Sequence, residues 1–441
     1  MSKVYKIANI SLGCEKNLVD SEMIVGAFHK ANYEITTDLN KADFIIVNTC
    51  GFIKSAKEEA INTIFEVLDY QERGAKIIVT GCLVQRYEED LKKLIPEVDL
   101  WVPIRDYYRL GELLEELIKE DCSNICVKME NRMLSTPSHM AYVRISDGCN
   151  NKCAYCAIPL IRGSFISRDE EEIVEEVKGL GAKGIKEINL ISQDLTNYGY
   201  DIRRNTGKDV SLVTLMKKLS KIEGVKWLRM LYLYPDEISD DLIELVSKEK
   251  CILPYFDIPI QHASDKLLKW MSRRGTNKEI KDLVNKIRTK IPNAIIRTTL
   301  ILGFPHESNK DFEILKEFIS EVKFNHLGAF TYSKEEDTDS FNMSCQVPEK
   351  IKNQRLSEIM EIQRWISLSL NEKCIGNVYE CIIESYDDEA EMFVGRTYAF
   401  APDDIDGVVF VEYDENIKIG EIYNIEITNA EFYDIFGKVR K

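Results

Sequence analysis

Histidine is the scarce residue of this chain, with five copies in 441 positions, so a catalytic apparatus built on imidazole is not favoured. No apolar run approaches the length of a membrane span. The opening stretch, MSKVYKIANIS, lacks the apolar core of a secretory signal. Together these absences predict a cytoplasmic protein with no membrane partner. Thiols stay reduced in that compartment, so the twelve cysteines are not expected to form a disulfide framework. Metal or redox chemistry is the better reading for those that cluster. Low-complexity tracts are missing too. GLGAKG (Gly179–Gly184) lacks the lysine and following helix of a phosphate-binding loop.

What is present suits a globular protein with a substantial core, with 44% apolar and 30% charged residues. The net charge of −16 is unevenly spread. Residues 371–441 hold 17 acidic and 6 basic side chains, a net of −11, which leaves −5 for the first 370. A segment this acidic should repel a phosphate backbone and attract a basic protein.

Three segments follow from the hydrophobic pattern. Residues 1–134 alternate short apolar runs (Val4–Ile10, Asp43–Thr49, Lys76–Gly81, Asp99–Pro103) with helical periodicity, which predicts a doubly wound parallel sheet. Ser55 is placed as a helix N-cap, with Glu58 completing a capping box. Residues 135–370 begin at a polar, proline-bearing linker and carry six strand–helix repeats, short of the eight of a full barrel. An open, partial TIM-like (β/α)6 barrel is expected. A long helix, Glu349–Lys373, closes this segment and should bury Ile351, Leu356, Ile359, Ile362, Trp365 and Leu368. Residues 371–441 switch to short alternating strands, the signature of a small antiparallel β-barrel. The overall class is therefore α/β with a β-barrel appended.

Cys14, Cys50 and Cys82 each follow one of the first segment's strands. In a parallel sheet those strand ends share one edge, where ligands bind, so residues 36 and 32 positions apart can converge. The loop DGCNNKCAYC (Asp147–Cys156) follows the first barrel strand and offers Cys149, Cys153 and Cys156 as C-x3-C-x2-C. Structural zinc takes four ligands, usually in two pairs, and no fourth Cys or His lies nearby. Three thiolates on a four-iron cluster would leave one iron open for another ligand.

The spacing, with Tyr155 before the last cysteine, resembles the signature of radical S-adenosylmethionine enzymes. That resemblance implies a [4Fe-4S] cluster on these three residues, which would act catalytically, with S-adenosylmethionine on the open iron. SLGCEKNLVDSE (Ser11–Glu22), NTCGFI (Asn48–Ile53) and TGCLVQRY (Thr80–Tyr87) resemble the N-terminal domain of the methylthiotransferases. The likeness implies that Cys14, Cys50 and Cys82 hold a second [4Fe-4S] cluster, and that residues 371–441 form a TRAM-like barrel. GRTYAFAPDDIDGVVFV and FYDIFGK are similar to the family's ribosomal-protein group, which modifies the β-carbon of an aspartate in the twelfth small-subunit protein. Expected partners are that basic ribosomal protein, a sulfur donor and a reductant such as flavodoxin or ferredoxin. Two alternatives stay open: a transfer RNA adenosine methylthiotransferase, and a non-catalytic ribosome-associated metal-binding protein. Tyr155, Gln193, Asp194, Gln261, Arg297 and Gly303 are the candidate contacts for S-adenosylmethionine, with Arg297 pairing its carboxylate. His262 is expected to be a hydrogen-bonded structural histidine. The aromatics of the last segment are assigned to barrel core and rim.

Overall fold

The computed structural model describes residues 4–440. The first sheet has five strands, β1 (Lys6–Ser11), β2 (Glu34–Ile35), β3 (Phe44–Thr49), β4 (Lys76–Gly81) and β5 (Leu100–Pro103), ordered β2-β1-β3-β4-β5 and all parallel. Every side chain of β3 is buried, as a central strand covered on both faces requires. Helix α1 (Glu15–Lys30) follows β1, α2 (Lys54–Leu68) follows β3, and α3 (Cys82–Leu94) follows β4. The cap of α2 is Ile53 rather than Ser55, and no side chain caps it. The first helical N–H, that of Lys54, instead bonds Ser333 Oγ at 3.3 Å, so a group distant in sequence replaces the local cap. α4 (Leu110–Ile118) completes this part.

The second sheet starts at β6 (Met140–Arg144), which leads into a two-stranded ribbon of β7 (Ser146–Asp147) and β8 (Ile166–Ser167), with α5 (Ile158–Arg162) inside the connection. It continues with β9 (Glu187–Ile191), β10 (Trp227–Met230), β11 (Ile252–Asp257), β12 (Ile295–Leu302) and β13 (His326–Thr331). All six main strands are parallel and in sequential order, so the barrel stays open between β6 and β13. Its outer layer is the largest apolar core, where Val143, Leu190, Leu228, Phe256 and Ile296 meet the surrounding helices.

The helix Glu349–Asn371 packs Leu356, Ile359, Met360, Ile362 and Ile366 on the main core but also buries polar residues beside them. Lys352, Arg355, Ile359, Gln363 and Ile366 turn inward, while Ile351 and Trp365 are exposed. The polar members are inside because their tips find partners. Lys352 Nζ donates to Tyr332 O at 2.8 Å, Gln363 Nε2 to Phe324 O at 2.9 Å, and Arg355 Nη1 to Glu307 Oε1 at 2.9 Å. Trp365 stacks edge-on against Phe432 instead.

The last part is a closed five-stranded barrel of β14 (Val378–Asp387), β15 (Met392–Thr397), β16 (Val409–Glu412), β17 (Ile422–Ala430) and β18 (Ile435–Val439). It is not wholly antiparallel, because β16 pairs with β18 in parallel and that pairing closes the ring. Phe393 and Phe400 are buried, and Tyr413 lies on the rim, stacked on Phe393. A shared core holds the three parts together: Val19 of α1, Tyr142, Trp227 and Tyr255 of the open barrel, and Ile382 and Ala401 of the small one. Among the described residues, no helix is long and apolar enough to cross a membrane.

Candidate active site

Glycines bring the first three cysteine loops together. Gly13 has φ +87°, and a Cβ there would lie 2.7 Å from Cys50 Cβ. Gly81 has φ +99°, and a Cβ would come within 2.4 Å of both Asn48 Oδ1 and the Thr49 carbonyl. Cys14 is thereby set as the residue before α1, and Cys82 as the first residue of α3. Helix N-termini stabilise negative sulfur. Asn17 crosslinks the loops, donating to Leu12 O at 3.1 Å and Thr49 O at 3.0 Å and accepting from Cys82 Sγ at 3.2 Å. Burial pushes the Cys82 thiol up to about 12, and Arg162 opposes the shift.

The second loop is held from several sides. Gly148, at φ +73°, leaves no room for a Cβ beside Ser164 O, 2.2 Å away. Ala154 N donates to Met271 O at 2.9 Å, and Ser340 N to Ala154 O at 2.8 Å. Tyr155 meets Phe304 edge-on, beside a cluster of Ala154, Leu267, Met271 and Tyr332. Arg273 Nη1 lies 3.8 Å from Cys153 Sγ, with its guanidinium 3.9 Å from the centre of the Tyr234 ring. Burial raises Cys149 to about 11 and Cys156 to about 12, so loading a metal on these thiols must displace protons.

The two trios are linked. Cys82 packs on Ala157 and Ile161, immediately beyond Cys156. Arg162, at the end of α5, donates to Asn17 Oδ1 at 2.8 Å and Cys82 Sγ at 3.5 Å, and pairs with Asp20 at 2.7 Å and Asp147 at 3.5 Å. Farther out, Lys57 and Arg86 meet Glu335 at 2.8 and 2.9 Å. All twelve cysteines are free. Among the described residues no three of His, Cys, Asp or Glu surround a point suited to a single metal ion.

The remaining candidates fall into two groups. Gln193 Nε2 donates to Asp147 Oδ1 at 3.0 Å, while its buried Oε1 and that of Gln261 have no partner. Gln261 sits at φ +70°. Two buried acceptors left open near the strand ends fit a ligand with donors to offer. Asp194 is committed elsewhere, because Asn151, Thr196 and Asn197 all donate to it at 2.7 Å, which ties the cysteine loop to β9. Gly303 N donates to Glu307, and the space beside its Cα is filled by Lys352 Cγ.

Arg297 requires a correction. It is the third of eight residues in β12, well before that strand's C-terminal edge, and is paired with Asp257 and Asp406 at 3.1 Å each. With both carboxylates on it, the guanidinium is not available to a ligand at that edge. His262 is buried, accepts from Ala263 N and Ser264 N at 2.9 Å, and is driven down to about 3 by burial. Cys122 and Cys126 stand apart from both trios, with Cys122 buried near Tyr33. Arg162, Arg273, Asn17, Lys16 and the Tyr232–Tyr234 pair were not legible as site residues. The glycines adjoining Cys14 and Cys82 were the one local signal.

Three family models match the chain: Uncharacterized protein family UPF0004 over residues 6–103, the Radical SAM superfamily over 143–319, and the TRAM domain over 375–439. A protein of Clostridium botulinum (strain Eklund 17B / Type B) named ribosomal protein uS12 methylthiotransferase RimO is 46% identical, covering 99% of this chain and 98% of that protein. One of the same name from Acetivibrio thermocellus is 42% identical, covering 98% of each. Among solved structures, the radical S-adenosylmethionine methyltransferase TsrM of Kitasatospora setae shares the fold at TM-score 0.55 and 11% identity, covering 86% of this chain and 78% of that one. The chain is an enzyme and belongs to the radical S-adenosylmethionine methylthiotransferase family, among its RimO-named members.

Proposed function

We propose that the chain adds a methylthio group to the β-carbon of an aspartate in ribosomal protein uS12, in the cytoplasm, with S-adenosylmethionine and two four-iron clusters. Residues 1–134, 135–370 and 371–441 would be its domains. Cys149, Cys153 and Cys156 would hold one cluster, and Cys14, Cys50 and Cys82 the other. When bound, these groups supply, with S-adenosylmethionine, the one-electron chemistry that breaks an unactivated C–H bond and the sulfur that replaces the hydrogen. A reductant of flavodoxin or ferredoxin type and a sulfur donor complete the reaction.

What supports the reading is the donor set: six free thiols, three at strand-to-helix turns of the first sheet and three on the loop after β6, with the open acceptors of Gln193 and Gln261 offered to S-adenosylmethionine. Arg273 presents positive charge to Cys153 Sγ at 3.8 Å. Cys14 and Cys82 stand at the N-termini of α1 and α3, where backbone N–H groups face a ligand site. The apolar cluster of Ala154, Phe304 and Tyr332 shields one flank of the cysteine loop from water. The carrying observation is the junction at Arg162, where the loop of one trio reaches the buried thiol of the other. Sulfur transfer to a radical requires such proximity.

Anaerobic reconstitution should give about eight irons per chain, falling to about four in Cys82→Ala. Mass spectrometry of uS12 after reaction should show one methylthio group on an aspartate. Methylthio-adenosine in transfer RNA, with salt-sensitive binding, would replace this reading with the nucleic-acid one. Failure to cleave S-adenosylmethionine under reducing conditions would leave only a metal-binding role.

A further inference from the structure

The second residue of α1, Lys16, is 7% exposed and lies two positions after Cys14. Its Nζ is 2.6 Å from Glu15 Oε1 and 3.3 Å from the centre of the Tyr232 ring. Adjacent residues on a helix do not ordinarily face one another, so the ring draws the ammonium across. Tyr232 continues β10 at its C-terminal edge with φ +66°, a conformation that a bulky residue seldom adopts. Tyr232 N donates to Asp257 Oδ2 at 3.0 Å, and its carbonyl accepts from Leu195 N at 3.1 Å. Two residues on, the Tyr234 hydroxyl lies 3.9 Å from Cys153 Sγ. One short segment thus carries a ring beneath Lys16, on the side of the first trio, and a hydroxyl beside the second. Lys16 adjoins Cys14 in sequence and rests on the segment that reaches Cys153.

An ammonium carries three N–H donors. Among the described residues, Glu15 takes one, and no other hydrogen-bond acceptor meets Nζ. The ring face balances charge without accepting a strong hydrogen bond. Glu15 holds a second partner in the Tyr232 side chain, so Lys16 can turn toward another carboxylate without leaving Glu15 unpaired.

We propose that Lys16 anchors the side-chain carboxylate of the residue being modified and so selects an acidic target. This rests on the reading of the substrate as an aspartate. S-Adenosylmethionine also carries a carboxylate, but its expected place is on the Cys149–Cys156 side, whereas Lys16 adjoins Cys14. The anchored carboxylate is the substrate's.

The test uses the reconstituted full chain and two synthetic peptides of the uS12 target loop, one with the aspartate and one with asparagine in its place. The wild type should bind the aspartate peptide at least about 30-fold more tightly, as expected for a buried charge pair set against its neutral isostere. Lys16→Met should abolish that preference while keeping wild-type iron content, and Lys16→Arg should retain part of it. Three results would overturn the proposal: Lys16→Met keeping the preference, Lys16→Met losing iron as Cys82→Ala does, or Lys16→Met losing affinity for S-adenosylmethionine and not for the peptide. A wild type that methylthiolates uS12 on aspartate yet binds both peptides equally would sink the anchor alone. Modification of transfer RNA in place of the peptide would sink both readings.

Discussion

The guanidinium of Arg162 meets Asn17, Asp20, Cys82 and Asp147 at once, with 2% of its side chain exposed. Its pairing with Asp20 is equally buried, and Asp20 is also bonded by Arg144. Removing one partner of such a pair leaves a charge without compensation and costs about 3–5 kcal/mol. Arg162→Met should therefore lower the unfolding free energy, read from the denaturation midpoint and slope, by about 3 kcal/mol, since Arg144 remains, while Arg162→Lys recovers part through its single point charge. An unchanged midpoint would show that the pair is not stabilising. None of this was visible beforehand. The cysteines stood out as candidates because their spacing and their positions after strands are local features of the chain. Arg162 acquires its meaning from partners up to 145 positions away.

Among the elements, the strand-to-helix turns carry the site, and their glycines are the sensitive points. Gly81 precedes Cys82 at φ +99°, with Asn48 Oδ1 and the Thr49 carbonyl where a Cβ would stand. An alanine there must move β3 or withdraw the first turn of α3. Gly81→Ala is expected to fold with reduced stability and to bind about four irons per chain in place of about eight, read by iron analysis after anaerobic reconstitution. Full loading in this variant would mean that the turn tolerates the change. Four strands of the first sheet and the six of the open barrel followed from apolar runs, since strands covered on both faces are rich in apolar residues, whereas the two-residue edge strand β2 (Glu34–Ile35) is too short to leave such a run. The long helix followed as well, but not all of its inward face, because carbonyls at the sheet's edge draw in Lys352 and Gln363.

For the whole molecule, the small barrel is docked through buried charge. Arg396 pairs with Glu187 at 2.6 Å and Glu384 at 2.8 Å, Arg229 pairs with Glu187 at 2.9 Å, and His139 meets Glu384 at 2.9 Å. Part of the acidic excess of residues 371–441 is therefore turned inward, while Asp388, Glu389, Glu391, Glu412 and Glu415 stay exposed. Burial pushes the Glu384 carboxyl up, yet the His139 hydrogen bond and Arg396 outweigh it and hold the group at about 2, below its ordinary 4.5. A depressed carboxylate contributes stability that is complete above about 4.5 and is lost as pH falls toward 2. Arg396→Met should flatten that acid-dependent loss, destabilise the fold by about 3–5 kcal/mol at neutral pH and expose the junction before residue 371 to limited proteolysis. An unaltered acid limb would refute the assignment. The three fold types and the family were legible in the amino-acid sequence, because periodicity and short motifs are local properties of the chain. Only the tertiary structure decided that Arg297 serves the barrel junction, that Arg162 joins the trios and that Lys16 lies over Tyr232. Each of these is a charge whose partner arrives from another part of the chain, and no local pattern encodes such a meeting.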